Sequence, residues 1–408
     1  MQSLLSYLLT ATAALLVIPA TVLLAEVVSC IARPQRENSS NGRIEPYQSV
    51  AVLVPAHNES TELLSTIADI KTQLRSGDRL IVVADNCTDD TASVATAAGA
   101  EVIERSDRAR IGKGYALDFG LRYLSTDPPE IVIIIDADCR LSQNAIAKLA
   151  LTCHQTGRPA QALDLMTAPK QSSLNYQVAE FAWRVKNWVR PLGLRNLALP
   201  CQLMGTGMAF PWQVIGSVNL ASGRIVEDLN LGLDLALAGH PAVFCPSAVV
   251  TSHFPDSTKG ADTQRRRWEH GHIYTIVTVV PRFLVCAMIR RDLNLLALTL
   301  DLAIPPLSLF GLLATGMFAL SAAAVPFGFS SAALIVSAVA LMAFAMAVLM
   351  SWWRFARDLL PLSAVHLIAR YVFGKIYIYC GLLFRRRVSQ WIRTDRKKAP
   401  ADDARERQ

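Results

Sequence analysis

The sequence predicts an α/β domain with a parallel sheet, set between apolar segments long enough to cross a membrane. Three observations carry this. Between residues 50 and 136, short aliphatic runs alternate with stretches of helical periodicity, the pattern of a parallel sheet covered on both faces. The chain is 52% hydrophobic with a mean hydropathy of +0.31, and the excess gathers toward the two ends. The net charge is +7, and basic residues cluster beside the apolar segments, at Arg385, Arg386, Arg387, Arg393, Arg396, Lys397 and Lys398. Such clusters face anionic lipid on the cytoplasmic side. They point to membrane lipid as a partner and away from nucleic acid. The eight cysteines stand singly with no C-x-x-C pair, so neither a disulfide framework nor a zinc site is expected.

The elements follow in order. Residues 4–25 carry no charge over 22 positions, enough to span a bilayer. The preceding Met-Gln-Ser lacks the basic n-region of a cleaved signal, so residues 1–30 read as a retained transmembrane anchor and 31–47 as a polar linker. The α/β domain is expected over 48–271. Its strands are "VAVLVP" (50–55), "LIVVA" (80–84), "AEVIE" (100–104) and "IVIIID" (131–136). Helices are expected over 60–75, over "DDTASVATAAG" with Gly99 as its stop, and over 114–124. Beyond residue 155 the pattern loosens: "ALDLMTAP" reads as a further strand and 174–190 as an amphipathic helix carrying Phe181, Trp183, Trp188 and several bases. Residues 195–260 read as the acceptor half of the same domain.

Residues 272–292 contain Pro281 and Arg282 and are expected to lie in the membrane interface. Two spans are expected within 293–353. The first covers 293–323, with a bend at Pro305-Pro306 and Asp301 turned toward protein; the second covers 328–352 and ends at Trp352 and Trp353. Residues 354–384 carry His366, Arg370 and Lys375. A crossing there would put the basic tail, 385–408, on the wrong side for the positive-inside rule, so an interfacial or re-entrant helix is expected. The result is a multi-pass protein of the plasma (inner) membrane. Its N-terminus is outside, and its α/β domain and C-terminus are cytoplasmic.

The candidate chemistry sits at strand ends, where open α/β sheets bind ligands. "VPAHNE" (54–59) makes the first strand-to-helix turn. In "VVADNCTDDTA" (82–92), Asp85 ends the second strand, Thr88 is placed to cap the next helix, and Asp89 and Asp90 suit its dipole. "RIGKGYAL" (110–117) sets Lys113 between two glycines. This is not a P-loop spacing, and both a phosphate-reaching lysine and a solvated one fit it. Asp136 and Asp138 form a D-A-D at the tip of an apolar strand. Neighbouring carboxylates repel, and a divalent cation relieves that; hard oxygen ligands suit Mg²⁺ or Mn²⁺, with substrate phosphates completing the shell. Glu227-Asp228 opens a leucine-rich helix, as dipole partners or as a general base. "QRRRWEHGH" (264–272) joins arginines suited to pyrophosphate with a tryptophan suited to a sugar ring.

Taken together, Asp85, the D-A-D at 136–138, Glu227-Asp228, Gln264-x-x-Arg267-Trp268 and the flanking apolar segments resemble the membrane-integrated family-2 glycosyltransferases, the group of cellulose, chitin and hyaluronan synthases and ceramide glucosyltransferases. "WIRTDR" (391–396) and the stretch from Arg224 to His240 look most like bacterial exopolysaccharide glycosyltransferases. The resemblance covers residues 48–270 by motif. It implies a GT-A (Rossmann-like) fold binding a nucleotide-diphosphate sugar, UDP on family grounds. The donor site would be formed by Pro55, His57, Glu59, Asp85, Lys113, Asp136, Gln264 and Arg267. Asp138, with Asp136, would hold the metal. Gly205, Thr206, Gly207 and Trp268 would meet the acceptor, and Asp228, beside Glu227, would be the base of an inverting displacement. Processive synthases of this group have more spans than the three expected here, so single addition to a lipid-linked acceptor, a polyprenyl-diphosphate or a glycolipid, is the expected reaction. A processive polysaccharide synthase is the alternative.

Overall fold

A computed structural model of the chain describes residues 2–32, 47, 49–169, 173–216, 218, 220–221, 227–255 and 257–361. The expected segment 354–384 beyond residue 361 and the tail 385–408 lie outside the described residues, as does most of the linker.

The aliphatic runs fold as strands as expected, but the sheet of eight described strands is mixed rather than parallel: β1 (Val50–Ala56), β2 (Arg79–Asp85), β3 (Glu101–Arg105), β4 (Ile131–Ile134), β5 (Arg140–Leu141), β6 (Ala160–Thr167), β7 (Met208–Pro211) and β8 (Val243–His253). Their order is β3-β2-β1-β4-β7-β6-β8-β5. The first four are mutually parallel, whereas β7 runs antiparallel to both β4 and β6. Strand side chains alternate between faces, and the two cores divide accordingly. Leu53, Ile81, Val83, Val132 and Ile134 pack on the side of the helix Lys113–Leu124. Val52, Val54, Val82, Ile133 and Ile135 pack against the helices Glu62–Lys71 and Ala145–Thr156.

Three details differ from the sequence reading. The fourth strand ends at Ile134, not Asp136, so the D-A-D lies in the turn beyond the ladder. The helix over Thr91–Ala97 has Asp90, not Thr88, at its N-cap position, Asp89 Oδ1 accepts from the Thr91 N–H, and the Thr88 N–H donates to Asn58 Oδ1 at 2.7 Å. Lys113 is not on a loop: it is the first residue of a helix whose preceding Gly112 has φ +145°, a conformation that favours glycine.

Among the described residues three helices are long and apolar enough to cross a membrane: Gln2–Ala32, Leu307–Phe327 and Ala332–Phe355. The first and last pack along each other through small residues such as Ala13, Ala20, Ala340 and Ala347, the close approach typical of apolar helix pairs. The apolar run expected as one span over 293–323 is two helices. Leu293–Leu302 is too short to cross, and the membrane-length helix starts after Pro305-Pro306, because two consecutive prolines remove two backbone donors. The expected interfacial segment also has a different start. One helix, Thr258–Thr278, runs through the 271/272 boundary; the chain then bends by 46° into Val280–Arg290, with Pro281 in its first turn.

A buried guanidinium is among the groups that fasten the α/β domain to these helices. Arg190 Nη2 lies 2.6 Å from Asp301 Oδ1, and Arg190 Nε lies 3.3 Å from Glu26 Oε2. Asp301 thus faces protein, as expected. A single turn away, Gly193 meets the N-terminal helix so closely that a Cβ there would sit 2.0 Å from Glu26 O. Ser29 Oγ donates to the Gly193 carbonyl at 3.0 Å. Gly193→Ala is therefore expected to push the N-terminal helix off the domain and to cost about 1–3 kcal/mol, the usual penalty of overpacking. Denaturant unfolding in micelles measures this; unchanged stability would show that the two helices do not depend on that contact.

Candidate active site

Parallel strands deliver their carboxyl ends to one edge, and the expected residues collect there in three groups. The first surrounds the ends of β1 and β2. Pro55 lies beyond the last β4 partner of β1, Leu53, where its missing N–H removes no ladder bond on that side. His57 Nδ1 donates to the Asp85 carbonyl at 2.6 Å, and Glu59 N–H donates to Thr91 Oγ1 at 3.0 Å. Asn58 and Asn86 both take positive φ to make the turns. Asp85 is only 6% exposed. Its Oδ1 accepts from Arg105 Nη1 at 2.6 Å and from Asn86 Nδ2 at 3.0 Å. Sequence reasoning missed Arg105; its signal was a base at the end of the neighbouring strand, in register with Asp85.

The second group is the turn after β4. Asp136 pairs with Lys113, whose Nζ also donates to Gly205 O at 2.6 Å. Asp136 N–H donates to Thr206 Oγ1 at 3.0 Å, and Cys139 Sγ lies 3.4 Å from the same hydroxyl. Thr206 thus pins the D-A-D turn to the 205–207 loop. Gly205 and Gly207 have φ of +91° and +63°. A Cβ on Gly205 would lie 3.4 Å from Asp228 Oδ2 and 3.8 Å from Lys113 Nζ. Asp228 opens the helix Glu227–Leu237, so its carboxylate reaches the same point from the opposite half of the domain. The side chain of Glu227 lies outside the described residues.

Burial raises the Asp228 carboxyl above its ordinary range, while Lys186, Lys113 and nearby backbone N–H groups pull it down. Asp136 is likewise raised by burial, countered by Lys113 and reinforced by Asp138. Among the described residues no three His, Cys, Asp or Glu side chains converge as a protein-only metal cage. Asp138 is half-buried beside Asp136. Two carboxylates on one turn are a hard oxygen set that fits Mg²⁺ or Mn²⁺ sharing its shell with phosphate oxygens and water.

Two further side chains near this group were not foreseen. Asp164, on β6, is 2% exposed; Asn187 Nδ2 donates to its Oδ2 at 2.9 Å, and its Oδ1 has no hydrogen-bond partner. Burial, with Asp136 adding to it, pushes its carboxyl up to about 8. Its only signal was a lone acid inside an apolar strand. Lys186 belongs to a π-helical stretch, Val185–Val189, within the amphipathic segment; such bulges often mark functional sites.

The third group is on the helix Thr258–Thr278. Gln264 and Trp268, one turn apart, line a common cavity with Trp183, whose ring centroid is 5.0 Å from that of Trp268. Gln264 is 8% exposed and its Oε1 has no hydrogen-bond partner among the described residues. Arg267 is half-buried on the same helix but does not line that cavity.

A mixed sheet with paired acids beyond its parallel half, backed by a carboxylate at a facing helix start, defines a GT-A-like domain. The family profile described as "Glycosyltransferase like family 2" matches residues 46–271, and the chain belongs to that family. The Bacillus subtilis (strain 168) protein named "Probable glycosyltransferase YdaM" is 28% identical over 261 residues, 57% of this chain and 57% of that protein. The chain thus spans a little over half the length of this relative. The Mycobacterium tuberculosis (strain ATCC 25618 / H37Rv) protein named "Uncharacterized glycosyltransferase Rv0539" is 37% identical over 101 residues, 25% of this chain and 42% of that one. Among solved structures, a mannosyltransferase from Pyrobaculum calidifontis in complex with GDP-Man and Mn²⁺ aligns with a TM-score of 0.51 at 18% identity, over 86% of this chain and 99% of that one. This last likeness concerns the fold.

Gly205→Ala tests the geometry of the cluster. The positive φ is strained for alanine and the added methyl approaches the Asp228 carboxylate. We expect sugar transfer to fall at least tenfold, with the melting temperature lowered by only a few degrees; wild-type turnover would place the reacting centre elsewhere.

Proposed function

We propose that the protein transfers a sugar from a nucleotide-diphosphate sugar, a UDP-sugar, to a lipid-linked acceptor, with inversion at the anomeric carbon, in bacterial exopolysaccharide or glycolipid synthesis. The observation that carries this reading is the convergence at Gly205. Lys113 ties Asp136 to the Gly205 carbonyl, and Asp228 approaches the same glycine from across the cleft. Donor-side and acceptor-side groups therefore meet at one point.

The roles follow from chemistry. Pro55, His57, Glu59 and Asp85 border the nucleoside end, where Arg105 holds the Asp85 carboxylate in place. Lys113 and Arg267 supply positive charge to the departing diphosphate, and Gln264, on the same helix as Arg267, is read as a further donor-side group. Asp138 and Asp136 are the residues that would hold a divalent cation, which when bound adds Lewis-acid stabilisation of the leaving diphosphate. The loop Gly205-Thr206-Gly207 and Trp268 flank the acceptor. Asp228 accepts the proton of the acceptor hydroxyl as that oxygen bonds to the anomeric carbon and the bond to the diphosphate breaks. A carboxyl raised by burial is a stronger base than an exposed one, which suits this task. The three apolar helices are read as spans of the plasma membrane, with the α/β domain on the cytoplasmic side.

Asp228→Asn is expected to reduce transfer at least a thousandfold while donor binding, followed by UDP calorimetry, persists. Normal turnover by this variant would remove Asp228 from the base role. Labelled nucleotide sugars supplied to purified enzyme with native membrane lipid should give a lipid-extractable product of one added sugar. A high-molecular-weight polymer would instead assign the protein to the processive synthases.

The pH profile gives an independent check. Asp228 works ionised, and its folded carboxyl is raised, so transfer should fall on the acid side at a higher pH than an ordinary carboxylate near 3.8 would give. Lys186→Met removes the largest group that lowers it, so the acid limb should move to still higher pH. A limb that stays in place would mean another group titrates.

A further inference from the structure

The cavity lined by Gln264 and Trp268 has a volume of about 280 Å³ and lies where the α/β domain meets all three membrane-length helices. Leu23, Gly311 and Phe344 supply wall from those helices; Ala182, Trp183 and Lys186 supply it from the domain. Its wall is mostly hydrocarbon and aromatic, with Lys186, Arg190, Gln264, Arg265, Glu269 and His272 among the polar groups that border it.

Lys186 is the unexplained group in this wall. It lies deep in the molecule, yet its side chain is accessible, because it borders the cavity and a smaller adjoining one. It forms no hydrogen bond or ion pair with any described residue. Its Nζ lies 5.6 Å from the centroid of the Trp183 ring, and the carboxylates that act on it, Asp228 before Asp164, do so through space without an ion pair. Arg265 and Glu269, which also border the cavity, have partners of their own. An ammonium that borders a cavity with no described oxygen in hydrogen-bond reach keeps its donors for a ligand. Gln264 Oε1, buried and unpartnered in the same wall, repeats the pattern. Lone polar groups facing an otherwise apolar cavity are the features that orient a ligand.

We propose that this cavity seats the acceptor, an amphiphile whose hydrocarbon chain lies between Trp183, Trp268 and the apolar helices and whose phosphate rests on Lys186. A lysine ammonium is a point charge suited to a phosphate oxygen. Lys186 is also the cation with the largest electrostatic effect on Asp228, so a hydroxyl carried beyond the phosphate is directed toward the base. Leu23, Gly311 and Phe344, on the helices read as spans, form part of its wall, so a chain drawn from the bilayer would meet it there. The inference rests on the reading of lipid-linked transfer and adds the seat of the lipid and the residue that selects its head.

The test uses the full chain in phosphatidylcholine nanodiscs and 11-bromoundecyl phosphate, whose bromine quenches nearby tryptophan fluorescence. Saturable quenching is expected, at least tenfold tighter than with 11-bromoundecanol. Lys186→Met should erase that preference, and Ala182→Phe, which fills the wall, should abolish the quenching. Val348→Phe, from the opposite wall, serves if Ala182→Phe does not fold. All variants should still bind UDP. Equal binding of phosphate and alcohol by the wild type, or binding unchanged in the variants, would overturn the inference. So would displacement of the probe by inorganic phosphate or UDP at matched concentration, which would assign Lys186 to a free phosphate or to the donor. Lipid glycosylation is scored separately. A lipid product with variant-independent binding sinks the inference alone; specific binding without a lipid product sinks the transfer reading alone.

Discussion

Lys113 is the contact on which the rest of the site depends. It begins the helix Lys113–Leu124, pairs with Asp136 beyond β4 and donates to the carbonyl of Gly205. These three points belong to segments far apart in sequence. A half-buried lysine with a carboxylate and a carbonyl satisfied at once is strongly fixed, because losing either partner leaves a polar group stranded. It also sets the electrostatics. Three acids, Asp136, Asp138 and Asp228, crowd one cleft, and burial opposes the ionisation of Asp136 and Asp228. Lys113 offsets both, so the cluster holds its geometry without a ligand yet keeps carboxylates available for one.

A second buried cation, Arg190, performs the mechanical counterpart. It joins Glu26 of the N-terminal helix to Asp301 of Leu293–Leu302 from within the domain itself. Buried ion pairs of this kind add little net stability over an apolar packing, and their best-attested use is to fix register. Here register matters: the π-helical stretch that ends beside Arg190 carries Lys186 and Asn187, and Asn187 holds Asp164. Arg190 thus links the apolar helices to the segment that carries the polar groups near Asp228, alongside Arg184 on Phe355 O and Asn196 on Ser29 O.

How much was legible in the sequence follows from the physics of each part. β1, β2 and β4 were readable because buried parallel strands are unbroken aliphatic runs bounded by turns, and Asp85 and Asp136 stood out as charges at or just beyond their ends; β3, a partly exposed edge strand, was placed by its position in the alternation. β7 was not, since four residues, Met208–Pro211, carry no pattern. β8 was obscured by Pro246 and a register shift against β6. The Gly205–Asp228 approach and the Glu26–Arg190–Asp301 group join distant segments, and no local spacing encodes them. Lys186 was hidden because a π turn has no composition of its own. The Pro305-Pro306 pair was recognised as a bend, but two adjacent prolines end a helix outright, so the span begins later than expected.

The central claim is that one cleft, between the 136–138 turn and Asp228, holds the donor diphosphate. Anomalous diffraction from crystals grown with Mn²⁺ and UDP tests it most directly. The account predicts one strong manganese peak in contact with an Asp138 carboxylate oxygen, with the UDP diphosphate on its far side and uracil near Asp85. A manganese ion held away from residues 136–138, or UDP bound outside the cleft that Asp228 faces, would contradict it.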